Sequence, residues 1–274
     1  MAIPSIAMIP SGYKASKLYS VLPTDGSGDL TVVRAGATPN FNATRVNSSG
    51  LIESVLQNVP RLDYTSGGCP SILVEPQRTN LALRSEEFDN AGFWALVNSG
   101  SISTNTDIAP DGTTTADRLT AGANFSQVQG AIVGTAGTAY TGSIYIKRIN
   151  GSGVVNLRVA ENADIPITVT NEWTRVSATV TSTTTTVRLG VKLATSGDVV
   201  AIWGAQLEQG SNATSYIPTV ASTVTRNADV ISKTGITGVT TITETFEGGT
   251  TNVISGSPTS YTMSEGRIIS VIAE

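Results

Sequence analysis

An all-β fold, a jelly-roll β-sandwich with an extended N-terminal arm and C-terminal β-hairpins, is what this 274-residue sequence predicts. Three observations carry the prediction. Threonine supplies 39 residues, one in seven, and its β-branched side chain suits strands. Short runs alternate apolar and polar residues with a period of two, as half-buried strands do. Turn signals rich in Gly, Pro and Asn separate those runs.

Residues 1–84 read as an extended, loop-rich arm. Pro23, Asp25–Asp29, Pro39-Asn40, Gly67-Gly68, Pro70 and Pro76 break it into short apolar runs, none long enough for a core of its own. Residues 85–220 read as the sandwich. Val155, Leu157 and Val159 alternate with Asn156 and Arg158. Val176, Ala178 and Val180 alternate with Ser177 and Thr179, and Val187, Leu189, Val191 and Leu193 with Arg188, Gly190 and Lys192. Pro110-Asp111-Gly112, Asn150–Gly153 and Ser196–Asp198 supply turns. One short helix is expected at Ser85–Ala91, with Ser85 as its cap. Residues 221–274 read as two hairpins, turning at Glu247-Gly248-Gly249 and at Ser264-Glu265-Gly266. The last strand, Arg267–Ala273, is apolar on both faces: Ile268 and Ile272 on one, Ile269 and Val271 on the other. Such a strand needs a cover, either the sandwich or another subunit.

Composition excludes much chemistry. Charged residues are 14% of the chain, against ~25% in typical domains, and the net charge is −4. That balance argues against a phosphate-binding surface, so no nucleic-acid partner is expected. With no histidine, the Ser–His–Asp triad and the usual zinc sets are out of reach. No apolar run approaches the ~18 residues of a membrane span, and MAIPSIAMIPSGY lacks the basic start of a targeting segment. Cys69 stands alone and is expected as a small buried hydrophobe. Asp25-Gly-Ser-Gly-Asp29 has oxygen ligands suited to Ca²⁺, but without a downstream bidentate Glu it reads as a turn. Glu86 with Glu87, Asp107 with Asp111, and Glu172 are the carboxylates that could serve glycoside hydrolysis; their positions read as structural. No catalytic residue, metal site or cofactor is expected.

The aromatic residues leave two readings open. Trp94, Trp173 and Trp203 are either plugs of the core or a platform for the apolar face of a sugar ring. Tyr145 has the better phase for a platform. Ile144 and Ile146 point one way; Ser143, Tyr145 and Lys147 point the other. With Asn156, Arg158, Arg188 and Lys192, the residues Tyr145 and Lys147 would line one polar sheet face as candidate glycan contacts.

Several segments also resemble a known family. They are IPSGYKASKLYSV at 9–21, ATRVNSSGLIESV at 43–55, the block 58–90 with its PRLDY and CPSILVEPQRTNL, APDGTTTADRLT at 109–120, and 202–229. These are similar to structural proteins of tailed bacteriophages, especially the head-fibre and tail-fibre proteins of crAss-like and related gut phages. In that family such segments surround a jelly roll similar to carbohydrate-binding modules. The resemblance implies a virion protein assembled in the bacterial host cytoplasm: a short head- or tail-fibre or capsid-decoration subunit. It implies anchoring to other capsid or tail proteins through the arm, a homotrimer, and contact with a host-surface glycan. It assigns no catalytic residue. A glycan-binding adhesion module and a polysaccharide depolymerase are the alternatives.

Overall fold

The computed structural model describes residues 6–8, 12–20, 28–35, 43–161 and 163–274. Twenty-five strands, and no helix, occur among the described residues. The chain divides into two compact units, Arg78–Thr225 and Met1–Gln77 with Arg226–Glu274.

The Arg78–Thr225 unit is the jelly-roll sandwich. One sheet runs in the order Gly100–Asp107, Ala116–Ala121, Val199–Gln209, Ala139–Asn150, Thr174–Thr181. The other runs Ala95–Val97, Ser126–Val133, Thr186–Leu193, Val155–Ala160, Ala163–Ile167. Every pairing in both sheets is antiparallel. The alternating residues meet between the sheets: Leu119, Ile144, Ile146, Leu157, Val191 and Ile202 are all at most 1% exposed. Each such side chain contributes ~1.5–3 kcal/mol on burial. Gly142 lets the two layers close up. A Cβ there would stand 2.7 Å from Leu189 Cδ1 and 2.9 Å from Val159 Cγ2. Pro166 sits in the edge strand Ala163–Ile167, where a missing N–H costs the ladder least.

The second unit departs from the expected division into an arm of 1–84 and a separate segment of 221–274. Its two halves share sheets and a core. Gly266–Ala273 pairs with Ser71–Val74, with Thr241–Phe246 and with Ile6–Met8. Leu30–Val33 pairs with Val230–Thr234. Met8, Leu18, Leu30, Ile72, Ile231 and Ile268 are buried together. These N-terminal runs are too short to bury themselves, and the C-terminal strands they pair with lie roughly two hundred residues or more away in sequence.

Four further expectations change. No helix forms at 85–91; turns closed by Glu87 N–H to Arg84 O (3.1 Å) and Asn90 N–H to Glu87 O (3.1 Å) replace it. The hairpin at Glu247-Gly248-Gly249 forms, but Ser260–Thr262 pairs with Val230–Thr234 rather than with the last strand. The last strand also changes phase. Thr245 pairs with Ser270 and Phe246 with Ile268, so Ile269 is an extra, bulged residue. Ile268, Val271 and Ala273 are therefore buried, while Ile269 and Ile272 remain 40% and 38% exposed. Cys69 is exposed, because it falls in the 64–70 connection between the buried strands Arg61–Asp63 and Ser71–Val74. Pro23, Asp25–Ser27 and Pro39-Asn40 lie outside the described residues; Asp29 Oδ1 accepts the Ser20 N–H at 3.2 Å.

Candidate functional site

The outer face of the second sandwich sheet follows from its register. Gln127, Lys192 and Asn156 stand opposite one another on three neighbouring strands. In the next row stand Gln129, Gly190, Arg158 and Asp164. Because Val128, Val191 and Leu157 point into the core, these residues all point out. Arg188 lies further along the same strand, between Ala131 and Ala160, and donates to Glu161 O at 3.0 Å.

Hydrogen bonds and ion pairs tie the side chains of this polar face to one another. Arg158 Nη1 donates to Gln127 Oε1 at 2.8 Å and to Gln129 Oε1 at 3.0 Å. Its Nε lies 2.7 Å from Asp164, which also takes Lys192 Nζ at 2.6 Å. With its oxygen engaged, each glutamine amide offers N–H donors. Gly190 supplies no side chain to the middle of the row. A Cβ there would run into the backbone of Val128 and Gln129.

Phe125 flanks these rows. Its ring is 52% exposed and 5.2 Å from Lys192 Nζ. Its φ of +64° is a left-handed conformation that costs a bulky residue ~1–3 kcal/mol. Neighbouring bonds enforce it: Asn98 Nδ2 donates to Phe125 O at 3.2 Å, and Phe125 N–H reaches Ala194 O at 3.4 Å. The chain thus spends strain to hold an aromatic ring in solvent beside a row of donors and acceptors.

The fold brings together four of the six expected contact residues, Asn156, Arg158, Arg188 and Lys192. It places Tyr145 and Lys147 elsewhere. Their strand, Ala139–Asn150, belongs to the opposite sheet, so the hydrophobic layer separates them from the other four. There Lys147 Nζ lies 3.3 Å from Asp107 and 5.0 Å from the Trp173 ring. Phe125, Gln127, Gln129 and Asp164 are the members that sequence reasoning missed. The Gln127–Val128–Gln129 alternation carried the signal for two of them.

The aromatic question divides as well. Trp203 and Tyr216 are 1% and 3% exposed, with ring centroids 4.7 Å apart, and Tyr145 packs edge-on at 5.6 Å from Trp203. Tyr216 donates to Glu86 Oε1 at 2.8 Å and shares a 2.7 Å hydrogen bond with Ser85 Oγ. This is a small subsidiary core, with Ser85 as its buried tie rather than a helix cap. Burial pushes the Glu86 carboxyl above its ordinary value and the Tyr216 phenol well above its own, the latter with help from the Glu86 charge. Trp94 packs between Phe88 and Phe93 at 4.8 and 4.9 Å. Trp173 is half-buried and donates to Ile108 O at 3.0 Å. Three of the other candidate carboxylates are engaged structurally, Asp107 by Arg118 at 2.6 Å, Asp111 by Thr113 and Glu87 by Arg84, while Glu172 is exposed. No cluster of metal-ligating side chains occurs among the described residues.

No family profile matches the chain, and no curated protein does. Among solved structures, it is similar to the CBM22-1 xylan-binding domain of Paenibacillus barcinonensis Xyn10C, at 11% identity and a TM-score of 0.38, over 49% of this chain and 94% of that one. It is similar to TmCBM61 in complex with β-1,4-galactotriose, at 16% identity and a TM-score of 0.37, over 47% of this chain and 99% of that one. It is also similar to the enzymatically active domain of bacteriophage CBA120 tailspike protein 4, at 11% identity and a TM-score of 0.37. That match spans 47% of this chain and only 21% of the tailspike chain.

Proposed function

We propose that the sandwich unit is a glycan-binding adhesion module, and that it binds along the outer face that carries Gln127, Gln129, Asn156, Arg158 and Lys192. The observation that carries this reading is Phe125, a strained and half-exposed ring beside fixed polar groups. An aromatic face accepts the apolar side of a sugar ring, while amide and guanidinium groups bond its hydroxyls. A glycan array followed by calorimetry tests it. Phe125→Ala weakens binding about tenfold, ~1.4 kcal/mol. Lys147→Ala, on the opposite sheet, leaves it unchanged. No array hit, or hits insensitive to Phe125→Ala, would remove the reading.

A second reading, a virion fibre or decoration subunit that forms a homotrimer and docks on other capsid or tail proteins, draws on the other unit. Val253, Thr243, Ile272 and Ala7 stand side by side across four strands. Val253 is 55% and Ile272 38% exposed, so the row presents an apolar stripe that sister copies would cover. Mass measurement in solution decides it: a monomer at micromolar concentration, unchanged by Ile272→Glu, sinks the trimer.

A further inference from the structure

The unit formed by Met1–Gln77 and Arg226–Glu274 carries a cleft of its own. Its volume is about 310 Å³, the lower end of the ~300–1,000 Å³ of small-molecule sites. Tyr13, Tyr64, Arg45, Asn47, Ser48 and Glu53 line it above Leu62. The hairpin Ala43–Val46/Ile52–Val55 builds most of this, because its register sets Arg45 directly opposite Glu53.

The polar groups are fixed before any ligand arrives. Arg45 Nε donates to Glu53 Oε1 at 2.7 Å, and Asn47 Nδ2 donates to Glu53 Oε2 at 3.0 Å. Asn47 Oδ1 in turn accepts the backbone N–H groups of Ser49 (2.9 Å) and Leu51 (3.0 Å), which locks it in the turn. The Arg45 guanidinium lies 5.9 Å from the Tyr13 ring centre, and that residue is 38% exposed. Side chains held this way lose little freedom on binding. Burial opposes ionisation of Glu53, but the hydrogen bonds from Asn47 and Arg45 outweigh it and hold the carboxyl below its ordinary value. At neutral pH Glu53 is therefore an acceptor only, suited to donating hydroxyls.

We infer that this cleft is a second glycan site, which takes one ring of a neutral hexopyranose between the tyrosine walls and the Arg45–Glu53–Asn47 triad. Charge selects the class. Among the described residues that line it, the one cation is compensated by one anion, which leaves no surplus positive charge there to hold a phosphate or an acidic sugar. The mixture of aromatic walls and paired donors and acceptors fits a ring with one apolar face and a rim of hydroxyls. This site shares no residue with the Phe125 face and stands whether or not that face binds.

Saturation-transfer NMR on the full chain tests it, with glucose, galactose, mannose and N-acetylglucosamine offered singly at millimolar concentration. At least one sugar still receives saturation in a Phe125→Ala background, where the sandwich face is silenced. In that background the transfer falls about fivefold or more on adding Tyr13→Ala or Glu53→Gln, which keeps the size of the side chain. Thermal melts confirm that both variants stay folded. No transfer from any of the four sugars, transfer unaffected by both substitutions, or displacement of the sugar by inorganic phosphate overturns the inference. Transfer lost in Phe125→Ala but intact in Tyr13→Ala overturns it too, and supports the sandwich face instead.

Discussion

Asp229 anchors a buried charge cluster, and its replacement gives the sharpest test of how the unit outside the sandwich is held. Its carboxylate accepts Arg34 Nη1 at 2.9 Å, Glu75 N–H at 3.0 Å and Arg61 Nη2, with Arg226 Nη1 at 3.7 Å. The side chains of Arg61 and Arg226 are fully buried and that of Arg34 is 3% exposed. Asp229→Asn keeps the volume and removes the charge. Glu75 then faces the guanidiniums of Arg61 and Arg226 alone, at 2.8 and 3.0 Å. One contact of this kind carries ~4 kcal/mol at an effective dielectric of 20, and breaking a buried pair costs ~3–5 kcal/mol. Three cations share Asp229, so the loss belongs at the top of that range, about 5 kcal/mol. With m near ~2 kcal/mol/M in urea, the midpoint of this unit falls by roughly 2–3 M. The tryptophans make the assay selective, because Trp94, Trp173 and Trp203 all lie in the sandwich. Urea unfolding followed by far-ultraviolet dichroism reports the shift, while tryptophan fluorescence stays within ~0.5 kcal/mol. A midpoint change under ~0.5 M refutes the reasoning.

Other outcomes follow from single sites. Glu244 is fully buried and accepts Tyr261 OH (2.6 Å), Ser264 N–H (2.8 Å) and Asn252 Nδ2 (2.9 Å). Burial opposes its ionisation, yet those donors hold the folded carboxyl below its unfolded value of 4.5. Its stabilisation is therefore in place above pH 4.5 and lost as pH falls through the lower folded value; Glu244→Gln flattens that acid limb of urea midpoint against pH. Gly142→Ala forces a methyl group into Leu189 and Val159 and destabilises the sandwich by ~1–3 kcal/mol, read by tryptophan fluorescence. Exposed Cys69 reacts stoichiometrically with a thiol reagent in the native protein; a thiol that titrates only after denaturation contradicts its place in the 64–70 connection.

Much of the sandwich is legible because its information is local. The alternations at 155–159, 176–180 and 187–193 fall in the strands Val155–Ala160, Thr174–Thr181 and Thr186–Leu193, since a period of two needs only neighbouring residues to be seen. The rest depends on distant pairing. Ile6 stands opposite Ala273, and Ile268 opposite Ile72, so each short apolar run looks coreless until its partner is known. The bulge at Ile269 is hidden for a related reason. It is set by the mismatch with Thr245 and Phe246, and it inverts the expected faces of everything after it.

The polar face shows where such reading stops. Period two tells which residues leave the core, and it did so for Tyr145 as surely as for Arg158. It does not tell which sheet receives the strand. Jelly-roll crossovers send Ala139–Asn150 and Val155–Ala160, close in sequence, to opposite layers. Two side chains that both point outward then point away from each other. Phe125 escapes the pattern altogether, because what distinguishes it is a backbone angle rather than a spacing. A residue that leaves half of itself in solvent and is held at φ +64° loses to strain much of what its buried half contributes to the fold. Phe125→Gly therefore separates the two roles: relief of the strained conformation leaves the sandwich as stable or more so, while sugar binding falls as in Phe125→Ala. A Phe125→Gly protein that loses stability and keeps its binding would return the ring to the fold and empty the proposed site.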